Sequence, residues 1–205
     1  MTIPSRAQED PIENSKNSAP AVSRRAFLGA ATALPAASLI EPLQAGAGPN
    51  AATWYSVIHR CGQINYNEND PAHFDPEAWM DYWTSLKVDA VLVNGGGIMA
   101  FYPTRVPYYH RSKFLGSRDV LGEMVAAAKK RGMRAIARMD CNFAYQEALE
   151  AHPEWFERNP DGSARPHTEC PWLYWTCMFS TYFSEQMPTI YREINDHYSI
   201  DGFFT

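Results

Sequence analysis

The sequence predicts an α/β fold, the amino-terminal half of a (β/α)8 TIM barrel with about four parallel strands visible. Three observations carry this. Apolar strand-like segments alternate with amphipathic helical ones, ending in a long loop, a helix and a last strand. Repeated βα units of this kind imply a parallel sheet with right-handed crossovers. Polar residues gather after the strands and not after the helices, on the rim where such a barrel places its chemistry. Eight units need roughly 250 residues, but fewer than 160 follow the leader described below, so the barrel is not closed. A complete, smaller open sheet is the alternative.

The first strand is expected over residues 53–59, with Val57 and Ile58 as its apolar half and His59, Arg60, Gln63, Asn65 and Asn67 following it. Asp75-Pro76-Glu77 opens a helix, with Asp as the cap and Pro at the first position; Trp79, Trp83 and Leu86 mark its apolar face. The second strand, 90–93, runs into Asn94-Gly95-Gly96-Gly97, a tight turn or a close backbone approach. A helix over 119–131 carries Leu121, Met124, Val125 and Ala128 inward and basic residues at its carboxyl end. The third strand spans 133–139, followed by a short helix over 146–151. A turn system covers 154–166, with Asn159-Pro160-Asp161-Gly162 as its signal. Residues 168–175 read as a polar and aromatic loop and 181–197 as a helix, kinked or truly started at Pro188. The fourth strand is 201–205.

Composition excludes more than it assigns. A net charge of −5 offers no electrostatic basis for a nucleic-acid partner. Six Trp, eleven Tyr and ten Phe stand largely beside Asn, His, Arg or Pro, as core filling or as flat platforms in a polar cleft. Cys61, Cys141, Cys170 and Cys177 lack a zinc spacing and are expected to be free and buried. No cofactor is expected: the glycine run has no following Gly-Lys-Ser/Thr, and no nucleophile elbow appears.

Residues 1–47 form a separate leader. Residues 23–29 read S-R-R-A-F-L-G, which resembles the twin-arginine translocation motif, with Arg24 and Arg25 paired before Phe27 and Leu28. A mildly apolar stretch over 26–40 follows, too short to span a bilayer, and Ala45-Gly46-Ala47 offers a small-residue cleavage site. The resemblance implies export by the twin-arginine machinery to the periplasm or beyond. It leaves a barrel domain over 48–205 with no stable membrane insertion.

Asp140, after Arg138 at the end of the third strand, is the leading candidate for chemistry: a ligand for hydroxyls, a proton-transfer group, or a structural ion pair or cap. Glycoside hydrolysis requires two facing carboxylates, and Glu169 is the second candidate. His59, Arg60 and Asn94 are expected to contact substrate from the first two strands. His167, Trp172 and Trp175 form with Glu169 and Tyr174 the densest polar and aromatic group, where aromatic faces stack on sugar rings. His59, Asp140, His167 and Glu169 also allow a metal reading, but their spacing forces no common site.

Several segments together resemble a barrel family of glycosyl hydrolases related to α-L-fucosidases and β-galactosidase-like proteins. They are W-Y-S-V-I-H-R from Trp54, F-D-P-E-A-W from Phe74, D-A-V-L-V-N-G-G-G from Asp89, G-M-R-A-I-A-R-M-D from Gly132, H-P-E-W-F from His152, N-P-D-G from Asn159 and D-G-F-F from Asp201. The resemblance implies a catalytic barrel that hydrolyses O-glycosyl bonds of carbohydrate. It puts the nucleophile just past the fourth strand, beyond Thr205, and leaves Asp201 on the wrong rim for that role. A non-catalytic carbohydrate-binding barrel and a metal-dependent sugar enzyme are the alternatives.

Overall fold

The computed structural model describes residues 53–205. The segment that resembles a twin-arginine motif, with the cleavage position expected after it, lies outside them. Among the described residues six strands are present: β1 (Cys61–Gln63), β2 (Ala90–Gly96), β3 (Arg134–Met139), β4 (Phe143–Tyr145), β5 (Leu173–Trp175) and β6 (Gly202–Phe204). Four α-helices accompany them in the same residues: α1 (Pro76–Ser85), α2 (Val120–Lys130), α3 (Gln146–Ala151) and α4 (Met187–His197). The main sheet has the order β1-β2-β3-β6, every pair parallel. Sequential strands lie side by side with helical connections, the arrangement of part of a (β/α)8 barrel.

Helices α1 and α2 form where side chains satisfy their free amides. Asp75 accepts from the Ala78 amide at 3.1 Å, with Pro76 following in the first turn. Asp119 accepts from the Gly122 amide at 2.9 Å, and Lys129 and Lys130 close the other end. Their inner faces, Met80 and Trp83 from α1 and Leu121, Met124 and Val125 from α2, bury against Val91, Val93, Ala135 and Ala137 of the central strands. Ile190 and Ile194 of α4 belong to the same core.

The first strand is displaced from its expected position. Residues Trp54–Val57 form a 3-10 turn with Tyr55 and Val57 exposed, and pairing begins only at Cys61. The Asp89 carboxylate accepts from the His59 amide at 2.9 Å and the Arg60 amide at 3.0 Å. These bonds hold Asp89 below the usual carboxylate range. They fix 59 and 60 just before the strand, so both residues sit on the rim opposite the strand ends.

The loop expected over 168–175 is also corrected. Its second half is β5, antiparallel to β4, and the pair forms a separate two-stranded sheet after β3. The helix expected over 181–197 starts as a π-helical turn, Tyr182–Gln186, before α4, with Pro188 in the first turn of α4. All four cysteines are free, but only Cys141 is fully buried and Cys61 is exposed. Among the described residues no helix is long and apolar enough to cross a membrane.

Candidate functional site

A cleft of 240 Å³ opens over the carboxyl ends of β1, β2 and β3, lined by Asn65, Tyr66, Asn94, Arg138 and Asp140 among others. Asn94 and Arg138 are register partners on neighbouring strands, so their side chains share one face of the sheet. Asn94 is buried. Arg138 Nη2 lies 3.6 Å from Asp140 Oδ2, and both side chains are about one quarter exposed. A second cavity of 180 Å³ lies against the same two residues and is also lined by Phe183, Phe204 and Thr205. The Arg138–Asp140 pair therefore stands between two cavities. Among the described residues lining either one, Asp140 is the single carboxylate.

The glycine run positions this carboxylate. Asp140 donates its amide to the Gly96 carbonyl at 3.0 Å. A Cβ built on Gly97, whose φ is +97°, would lie 2.0 Å from the Asp140 carbonyl oxygen. The Gly97 amide donates to the Tyr109 hydroxyl at 2.8 Å, and burial keeps that phenol neutral by pushing its pKa well up. The run is thus explained by close approach to the β3 end, without a phosphate. The Asp140 carboxylate receives no short hydrogen bond: Asn142 reaches Oδ1 at 3.3 and 3.4 Å, and Arg138 stands 3.6 Å from Oδ2.

Two further features shape the rim. Tyr66 packs at 4.6 Å on Phe74 and 5.1 Å on Phe101, and its hydroxyl is buried with no protein partner. Burial pushes this phenol well above its ordinary range. His110 holds Glu147 through Nδ1 at 2.6 Å and Glu68 through Nε2 at 3.1 Å, and stacks on Tyr145. It joins the loops after β1 and β2 to helix α3.

Of the residues singled out from sequence, Asn94, Arg138 and Asp140 meet in the cleft. His59 and Arg60 do not: His59 has an 82% exposed side chain, and Arg60 donates to the Leu86 carbonyl at 2.7 Å. Neither His167, Glu169, Trp172 nor Trp175 lines either cavity. Trp175 packs on Phe143 at 4.4 Å under the Arg165 guanidinium, and His167 Nδ1 accepts the amides of Glu169 and Cys170. Trp172 and Glu169 are exposed. Among the described residues no cluster of three metal-ligating side chains forms, so His59, Asp140, His167 and Glu169 do not gather at one site. Asn65 and Tyr66 belong to the cleft but escaped the sequence reading as ligands; a strand ending at Gln63 is the signal that locates them.

A parallel βα sheet with its polar cleft at the strand ends places the chain in the class of barrel proteins that build their sites on that rim. The chain belongs to the family described as Hypothetical glycosyl hydrolase 6, whose model matches residues 75–205. Among curated proteins no sequence match is found. The fold is similar to α-L-fucosidase isoenzyme 2 from Paenibacillus thiaminolyticus, with TM-score 0.57 and 17% identity over 71% of this chain and 23% of that one. A noncanonic maltogenic α-amylase from Thermotoga neapolitana matches with TM-score 0.50 and 15% identity, over 70% of this chain and 38% of that one. A hypothetical protein from Ruminiclostridium thermocellum matches with TM-score 0.53 and 12% identity, over 71% and 74%. The chain thus spans less than two fifths of the length of the fucosidase and the amylase.

Proposed function

We propose that these residues form the first half of a glycoside hydrolase barrel, and that the cleft at Asn94, Arg138 and Asp140 binds carbohydrate hydroxyls. The observation that carries this reading is the Asp140 carboxylate beside Arg138, between two cavities at the strand ends of a glycosyl hydrolase family member. Hydrolysis of an O-glycosyl bond uses one carboxyl group to protonate the leaving oxygen and another as base or nucleophile. Asp140 supplies one carboxylate at most, so its partner comes from polypeptide outside residues 53–205. The 205-residue chain alone is then expected to bind sugar without turning it over.

The test uses 4-nitrophenyl α-L-fucoside, β-galactoside and α-glucoside with the 205-residue chain and with a longer polypeptide carrying the remaining strands. Turnover only by the longer form, lost in its D140N variant, supports the reading. Full turnover by the 205-residue chain overturns the division of the site. The lone carboxylate also favours a second reading, a carbohydrate-binding barrel without catalysis, in which the longer form binds sugars and hydrolyses none.

Export is proposed on the S-R-R-A-F-L-G segment. Replacing Arg24 and Arg25 with Lys is expected to retain the precursor in the cytoplasm, as measured by cell fractionation. Unchanged export would remove that part of the reading.

A further inference from the structure

A second depression of 430 Å³ lies beside the central cleft, built by the loop after β1 and the first turns of α1. Asn65 and Tyr66 line both, so the two abut across these residues. One side of the depression is aromatic. Phe74 lies parallel to Trp79 within 15° at 6.4 Å, and Tyr66 tilts against Phe74. Trp79 is 37% exposed, although Trp83 one turn further along α1 is buried. The edge carries the exposed amide of Asn69 and the exposed imidazole of His73.

We propose that this groove is a separate binding position for a neutral oligosaccharide, holding the sugar units that extend out of the central cleft. The proposal rests on the carbohydrate reading of that cleft. Its chemistry follows from the lining. Sugar rings present apolar C–H faces, which the indole of Trp79 matches, and hydroxyls at their edges, which an amide and an imidazole can both donate to and accept from. No Lys or Arg lines the groove, so a phosphorylated or sulfated chain finds no bidentate counter-charge there. The single carboxylate, Asp70, is already engaged by the Asn67 amide at 2.6 Å. Continuity through Asn65 and Tyr66 selects a ligand already anchored in the cleft over an unrelated one.

The test is calorimetric titration of the full chain with fucose, galactose and glucose and their linear di- to hexasaccharides. For the sugar that binds, affinity is expected to rise about tenfold or more from monosaccharide to the longer members. Trp79→Ala should reduce that rise to within about threefold while leaving the monosaccharide affinity unchanged. Because Trp79 packs on Phe74 and Trp83, the exposed-edge variant Asn69→Ala serves as a second probe, expected to lower only the chain-length increment. An affinity independent of chain length, in a protein that binds the monosaccharide through Asp140, overturns the groove and leaves the cleft. Hexasaccharide binding that needs Trp79 but is indifferent to D140N removes the central-cleft reading and leaves the groove. Binding of no saccharide overturns both.

Discussion

Replacing Gly97 with Ala tests whether the glycine run exists to seat Asp140. The added Cβ would lie 2.0 Å from the Asp140 carbonyl oxygen and 2.4 Å from its amide nitrogen. Both are backbone atoms, so no side-chain rotation relieves the overlap. The φ of +97° adds conformational strain of about 1–2 kcal/mol for an L-residue. Forcing atoms into a packed position costs roughly another 1–3 kcal/mol. Gly162 is the matched control, with a φ of +86° and no heavy atom within 4 Å of its built Cβ. In urea unfolding, G97A is expected to lose about 3 kcal/mol or more and G162A about 1 kcal/mol. For a domain of about 150 residues, each kcal/mol moves Tm by about 2–4 °C. Losses that agree within about 0.5 kcal/mol would refute the reasoning, since strain alone would then account for both.

Two other perturbations follow from ties between elements. Asp201 accepts from the Ala135 amide at 2.8 Å and Arg134 Nη1 at 2.8 Å, and also from Lys129. Burial would raise its pKa, but these donors outweigh burial and hold it below the usual carboxylate range. Its stabilising contribution is therefore complete above about pH 4, the unfolded value, and is lost as pH falls through the lower folded value. D201N should cost about 2 kcal/mol at pH 7, a deficit that shrinks below pH 4; a deficit constant down to pH 2 would contradict the ion-pair account. Asp119 caps α2 and also accepts from the Tyr198 hydroxyl at 2.8 Å, whereas Asp75 only caps α1. D75A should cost about 1 kcal/mol and D119A about 2 kcal/mol. Equal losses in urea titrations would show that the Tyr198 contact contributes nothing.

What could be read in the sequence followed the range of the forces involved. The starts of α1 and α2 were legible because Asp75 and Asp119 reach amides only three residues away. The first strand was misplaced because the β-branched Val57 and Ile58 look like strand locally, while Asp89, thirty residues on, claims the amides of 59 and 60. The β4–β5 pair was missed for the same reason, since Phe143 meets Trp175 through three-residue strands too short to show a period. At the site, Asp140 and Arg138 could be placed because β3 ends where its apolar alternation ends. The polar and aromatic character of residues 167–175 said nothing about direction, and His167 and Trp175 turn their rings to Phe143, with Arg165 over Trp175.

The His110 bridge has a consequence for how the cleft rim tolerates change. One imidazole answers to Glu68 from the loop after β1 and to Glu147 from α3, while its own backbone belongs to the loop after β2. Substitutions at the two glutamates are therefore epistatic: the first loss leaves His110 a remaining acceptor, and the second releases the ring from both anchors. Their combined effect should exceed the sum of the single ones. Three segments distant in sequence are thus tied through one ring, and a loop exchanged without its matching partner would unsettle the other two.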